Sequence, residues 1–261
     1  MSTSVRALLQ SDPAWTVFAL ADLHPRFAQV CRWTVTDSAV ILFWAGITPP
    51  ILITHGPAAD VEAALAKTDL PERVYLSVRE EHLPAIQRWY DTSVDYRPMW
   101  RMVAPLTPQL WGEPSTTSPK VGGRGALVHL GAEDAGRIEE LFAHGGDFTP
   151  DAFDPAQLAD GFFWGVEESG NLIAAGGTHV VDTTESVAVI GNIYTHPDHR
   201  GRGYAKAITR AITAHLQEAG IDLIALNVDQ RNRTAVSLYE NLGFTKYCPF
   251  VEGVGEAMSK E

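Results

Sequence analysis

The sequence holds only two cysteines, Cys31 and Cys248, far apart and in no disulfide or metal-ligand spacing. This excludes a disulfide-stapled scaffold and a cysteine zinc site, and it suits a reducing, cytoplasmic compartment. Long hydrophobic runs are also missing. The most apolar stretch, Val40 to Ile53, is interrupted by Gly46, Pro49 and Pro50 and reads as two strands too short to cross a bilayer. The opening MSTSVRALLQSDPAW lacks the apolar segment of a signal peptide, so no membrane partner is expected. Basic residues are scarce: 20 Lys+Arg stand against 32 Asp+Glu, a net charge of −12 that leaves no broad basic face for nucleic acid. Two phosphate signatures are absent as well, the G-x-x-x-x-G-K-[ST] loop and the G-x-G-x-x-G fingerprint with its acidic residue about 20 positions on.

What is present suits one large or two small domains: 261 residues, 45% of them hydrophobic. Residues 106–124 are rich in Pro, Ser, Thr and Gly with little periodicity, and read as a linker between domains at 1–105 and 125–261. The second domain reads as a strand at 126–130, a helix at 133–142, a helical stretch near Pro155, and strands at 162–167, 172–181 and 187–195. Next comes YTHPDHRGRGYA, from Tyr194 to Ala205, which places Arg200, Gly201, Gly203 and Ala205 at the start of a helix. Glycines let an anion approach the backbone closely, and the first N–H groups of a helix point at it. Ala205, Ile208, Ile212, Leu216 and Ala219 recur at helical spacing, and Gly220 supplies a stop. Residues 125–261 carry nine Lys+Arg against 20 Asp+Glu, yet 199–217 hold Arg200, Arg202, Lys206 and Arg210 and no carboxylate. A basic island in an acidic field points to a polyanionic ligand.

After one helix and a strand at 223–228 comes NVDQRNRTAVSLYENLGF. Asn232 and Tyr239 are seven residues apart, which on a helix returns to nearly the same face roughly 10 Å along, with Ala235 and Val236 between them. Singly, each residue has a plainer reading: Asn232 as a helix N-cap, Tyr239 as a core aromatic, Arg200 and Arg202 as solvated charges. Together the two segments resemble the GNAT superfamily of acyl-CoA N-acyltransferases. The resemblance covers residues 125–250, and its specific part is 187–245.

The resemblance implies an α/β fold with a mixed α+β sheet and acetyl-CoA or another acyl-CoA as cosubstrate, with no metal. Backbone amides of Gly201, Arg202, Gly203, Tyr204, Ala205 and Lys206, beside Arg200, would hold the CoA diphosphate. Ile193, Tyr194 and Thr195 would pair with the pantetheine amides, and Asn232 and Tyr239 would line the arm. Tyr239 would give its proton to the departing sulfur after an acceptor amine attacks the thioester. Several family members carry a Glu five residues before the Asn, where this chain has Asn227, which cannot usefully take a proton; His179, Asp182, Glu185 and, through a water, Asn192 are the remaining candidates for a base. The expected acceptor is a small amine, an amino acid or a protein amine, and the expected assembly a monomer or homodimer. The alternative is a non-catalytic acyl-CoA-binding or regulatory module.

Offsetting the chain by 150 residues aligns LSVREEHLPAIQRWYD, from Leu76, with LNVDQRNRTAVSLYEN, from Leu226. His82 then stands where Asn232 does and Trp89 where Tyr239 does, and no glycine turn of the phosphate kind precedes the first copy. Residues 1–105 are therefore expected to be a degenerate first copy of the same fold, in a tandem layout similar to the glycine N-acyltransferase-like branch.

Overall fold

The computed structural model describes residues 3–105, 120, 121 and 125–258. The chain forms two units, Met1–Arg101 with Val228–Arg231 and Lys246–Glu261, and Met102–Asn227 with Asn232–Thr245.

The first unit opens with helices α1 (Thr3–Gln10) and α2 (Val17–Ala21), followed by β1 (Cys31–Val35), β2 (Val40–Trp44) and β3 (Ile51–His55). The apolar run from Val40 thus divides at the expected breaks. Helix α3 (Ala58–Leu65), strand β4 (Arg73–Arg79), the short helix α4 (Leu83–Ile86) and strand β5 (Tyr90–Val103) follow. Strands β1, β2 and β3 pair antiparallel in sequence, and β3 pairs parallel with β4 after the α3 crossover. Ile41, Phe43, Leu52, Val61, Leu65, Leu76 and Val78 meet in one core, because alternate strand residues and one stripe of α3 face it.

The second unit begins with β6 (Lys120–Val121), an antiparallel partner of β7 (Gly125–Leu130). These two residues are strand where a linker is expected; residues 106–119 and 122–124 of that linker lie outside the described residues. Helix α5 (Ala135–Phe142), β8 (Phe163–Glu168), β9 (Asn171–Asp182), β10 (Val187–Thr195), α6 (Tyr204–Glu218), β11 (Leu223–Asp229) and α7 (Arg233–Asn241) complete it. Its strands lie in the order β11-β10-β9-β8-β7-β6. Helices cover both faces. Residues of α5 pack with Phe163, Ala175 and Tyr194, whereas Ile208 of α6 reaches the opposite face, over Gly176 beside Ile193.

Helix α6 stops where its sequence says it should. Gly220 takes φ +79°, its N–H reaches Gln217 O, and the N–H of Ile221 reaches Leu216 O with both of those side chains buried. That is a Schellman motif with its apolar contact.

The chain-terminal strand corrects an expectation. A second domain running unbroken to 261 is not what forms: β12 (Thr245–Ala257) leaves for the first unit and pairs antiparallel with β4, from Phe250 opposite Arg79 to Glu256 opposite Arg73. Its backbone groups need a ladder, and β4 supplies one while Phe250 and Val251 become buried.

Candidate active site

Strand β10 carries the geometry. Its parallel ladder to β11 covers only Val187–Ile190 against Leu223–Leu226, while its antiparallel ladder to β9 continues to Thr195. Between Gly191 and Tyr194 the register shifts, and Asn192 sits at φ +56°, so a bulge lies just where β10 parts from β11. The backbone of Ile193 and Thr195 is thereby placed at the margin of an opening rather than inside a continuous sheet.

Beyond Thr195 the chain makes a single 3₁₀ turn, Pro197–His199, and then the glycine turn. Gly201 and Gly203 adopt φ +76° and +82°, with nothing within 4 Å of where a Cβ would stand. Their role is therefore conformational: an L side chain is strained there, by roughly 1–2 kcal/mol per residue. Gly203 caps α6 without a side-chain hydrogen bond, and the first N–H to return into the chain is that of Ala207, on Gly203 O. Among the described residues, the N–H groups of Gly201, Arg202, Gly203, Tyr204, Ala205 and Lys206 have no acceptor. Six consecutive donors at the positive end of a 15-residue helix make a concavity suited to an anion.

The side chains of the turn divide. Arg200 Nε donates to Thr195 O at 3.2 Å and its guanidinium lies 5.8 Å from the Tyr194 ring, which ties the turn to the end of β10. Tyr204 is buried and donates its hydroxyl to Glu168, so this residue presents only its backbone to the concavity. Arg202 donates to Glu168 at 3.4 Å and to Asp198 O at 3.3 Å. Glu168, from the end of β8, is the carboxylate that the basic island lacked in the sequence. The Tyr204 hydroxyl holds its carboxyl below the usual range, helped by Arg202 and His199. Lys206 is exposed.

Tyr194 is buried, stacks edge-on against Phe142 at 5.5 Å and donates to Gly145 O at 2.7 Å. Asn232 caps α7, its side-chain oxygen accepting from the Ala235 N–H at 3.0 Å. The plainer reading of Asn232 thus holds for its oxygen. Tyr239 is buried on the same helix, edge-on to Phe244 at 5.9 Å, and burial pushes its phenol up. Its hydroxyl has no hydrogen bond among the described residues, in contrast to Tyr194 and Tyr204.

The candidate bases separate clearly. Asp182 accepts from the N–H groups of Thr184 and Glu185 at 2.8 and 2.9 Å and so closes the β9–β10 turn. It and Glu185 lie at the far end of β10 from Thr195, about 26 Å away along the strand. His179 lies over Gly191, where a Cβ would come within 2.0 Å of its Nε2. Burial pushes its pKa down to about 4, so the ring is neutral at neutral pH. Asn192 donates to Gln157 Oε1 at 2.9 Å, and its own side-chain oxygen is buried with no donor among the described residues.

Among the described residues there is no group of three or more His, Cys, Asp or Glu that could hold a metal ion, and no helix long and apolar enough to cross a membrane.

Residues 133–244 match the family model described as Acetyltransferase (GNAT) family. They form a GNAT-family acetyltransferase domain. The GNAT match contains every site residue named above and ends at Phe244, one residue before β12 begins. Among similar proteins, a mycothiol acetyltransferase of Thermobispora bispora is 34% identical over 175 residues, which are 58% of this chain and 55% of that protein. A second, from Pseudarthrobacter chlorophenolicus, is 35% identical over 119 residues, 44% of this chain and 32% of that protein. The chain thus spans about half or less of the length of these curated relatives. Of solved structures, a tandem GNAT protein from the clavulanic acid biosynthesis pathway superposes with TM-score 0.58 at 16% identity, over 94% of this chain and 89% of that one. An N-acetyltransferase from Kribbella flavida gives 0.59 at 15%, over 99% and 97%. At such identities the likeness is one of fold, and the fold extends through both units as a tandem layout requires.

Proposed function

We propose that the chain is an acyl-CoA-dependent N-acyltransferase, with acetyl-CoA as donor, and that its second unit is the catalytic one. The observation that carries this reading is the row of six unpaired N–H groups at Gly201–Lys206, set beside the parting of β10 from β11 within a GNAT domain. The diphosphate of CoA binds those amides with Arg200 alongside. The pantetheine arm runs along the backbone of Ile193, Tyr194 and Thr195 as a short extra strand, and an N–H there polarises the thioester carbonyl.

An acceptor amine attacks that carbonyl, and the tetrahedral species collapses by breaking the C–S bond. Tyr239 stands ready as the hydroxyl that meets the sulfur. Because the pKa of a phenol lies above that of a thiol, full transfer of its proton to a thiolate is uphill by about 1.4 kcal/mol per unit of difference. Its contribution is therefore a hydrogen bond that strengthens as negative charge grows on sulfur; where its proton passes to the thiolate, the phenolate takes up the proton that the amine releases, so one proton moves in sum from nitrogen to sulfur. Of the candidate bases, Asp182 and Glu185 serve the hairpin, and His179, against the strand at Gly191, is a weak proton acceptor because burial lowers its pKa. The acceptor is a small-molecule amine, and the likeness to mycothiol acetyltransferases makes mycothiol-related amines the first to try. The first unit is a degenerate copy that does not bind CoA.

A binding module without turnover is the second reading, favoured by Asn227 in place of a glutamate. Two measurements test the proposal. Titration calorimetry with acetyl-CoA should show binding that a folded Gly203→Val variant loses; absence of binding by the parent ends the transferase reading. A screen of amines for CoA thiol release then separates enzyme from binder.

A further inference from the structure

Three imidazoles gather beside the glycine turn. The rings of His144 and His196 are 4.2 Å apart, centre to centre, and those of His196 and His199 5.4 Å. His196 and His199 lie within the segment that leads into the turn, and His144 comes from the loop after α5. The tautomer of His196 is fixed by its surroundings: Nδ1 accepts from the Asp198 N–H at 3.2 Å, so in the neutral ring the proton is on Nε2. The Asp198 carboxylate lies 4.0 Å from that same Nδ1. Nδ1 therefore has two alternative partners on one residue, a backbone donor while the ring is neutral and a carboxylate once it is charged.

We propose that His196 is the proton-linked member of the anion site: binding of the CoA diphosphate at Gly201–Lys206 draws a proton from solvent onto His196 Nδ1, which exchanges the Asp198 N–H for the Asp198 carboxylate. One N–H bond forms and nothing leaves. The inference rests on the CoA-binding reading and adds a residue and a signature to it.

The groups around His196 set the direction. His144 faces it from the α5 loop, and Asp198, His199 and Arg200 from its own turn. His199 in turn lies 3.5 Å from Glu168 of β8 and 3.4 Å from Arg202. Without a ligand, burial and the neighbouring His144, His199 and Arg200 hold the His196 pKa below its ordinary value, against the pull of Asp198. A diphosphate reverses the sign of the field on the turn and raises it. The protonated form then binds the anion more tightly, so affinity rises as pH falls through the bound-state pKa and levels off below the free-state one.

The test uses dephospho-CoA, which keeps the diphosphate and lacks the phosphate monoester that itself titrates near pH 6. Calorimetry in two buffers of unlike ionisation enthalpy should show net proton uptake on binding, with affinity several-fold higher near pH 6 than near pH 8. In His196→Asn the side-chain oxygen can still accept from the Asp198 N–H but cannot take a proton; the uptake should vanish and the affinity become flat across that range. Binding by the parent without proton uptake overturns the proposal, as does uptake that persists in His196→Asn. Failure of the parent to bind strikes at the CoA reading itself and is distinct from both. Imidazole NMR shifts of the parent, with and without dephospho-CoA, give the same answer if the variant does not fold.

Discussion

The two units repeat one plan and differ where it matters. In the first, β1, β2 and β3 pair antiparallel, and α3 carries the chain to β4, parallel to β3. In the second, β8, β9 and β10 do the same, and α6 carries the chain to β11, parallel to β10. Strands β4 and β11 are offset by the 150 residues that align the two sequence segments. Yet β2–β3 keeps an even register, while β9–β10 is bulged. The end of β3 is also occupied by its own chain. Trp15 Nε1 donates to Thr54 O at 2.8 Å, His55 Nε2 reaches Leu8 O at 2.9 Å, and His82 lies between Thr54 Oγ1 at 2.8 Å and Gly56 O at 2.9 Å. Since a carbonyl only accepts, His82 donates from Nε2 to Gly56 and accepts from the Thr54 hydroxyl at Nδ1, as a neutral ring. On the reading proposed above, the residue aligned with Asn232 thus acts as a plug. A ligand site can be lost by being filled as well as by losing its turn.

The comparison breaks most readily at its glycines. Gly203→Val should weaken acetyl-CoA binding at least 100-fold, through strain at φ +82° and obstruction of the turn. Gly56, at φ +118° with Ser38 O 2.3 Å from a would-be Cβ, should behave oppositely: Gly56→Ala lowers the melting temperature and leaves calorimetry at one acetyl-CoA per chain. Two sites per chain in the parent would contradict a plugged first unit. Tyr239→Phe should lower turnover roughly 10- to 100-fold with acetyl-CoA affinity changed less than about threefold, read from steady-state kinetics beside calorimetry. The histidines sharpen the contrast by pH. Burial lowers the pKa of His55, His82 and His179 in the fold, so their contribution to stability is present above the ordinary histidine pKa and is lost as pH falls through it. For His179 the window runs from 6.5 to about 4 and is worth up to about 3 kcal/mol, so His179→Gln should flatten the denaturant-measured acid loss of stability. The smallest effect is expected at α7, where Asn232→Ala should cost about 1 kcal/mol by the same measurement and Asn232→Asp much less.

Much of the second unit was legible because its signals are local. The stop at Gly220, the strand from Val187 to Thr195 and the glycine turn each depend on residues within a few positions. The bulge at Asn192 was not legible, since a register shift belongs to a pair of strands. Glu168 and His144 escaped for a related reason: they reach the turn from β8 and from the loop after α5, and no spacing along the chain records that. Alignment sets His82 where Asn232 stands but carries no sign of its partners. Its two hydrogen bonds, which make it a plug, come from β3 and the turn that follows.

Strand β12 has a consequence for how the chain is made. It is synthesised about 140 residues after β5, a delay on the order of 10–30 s at ordinary ribosomal speeds. Throughout that interval the edge of β4 away from β3 waits for β12, while the whole second unit is emerging between the two halves of the first. Of these two units, the one whose strands appear earlier is therefore completed later. A cut at residue 115 would not release a tidy catalytic fragment, because it would strand β12 without β4.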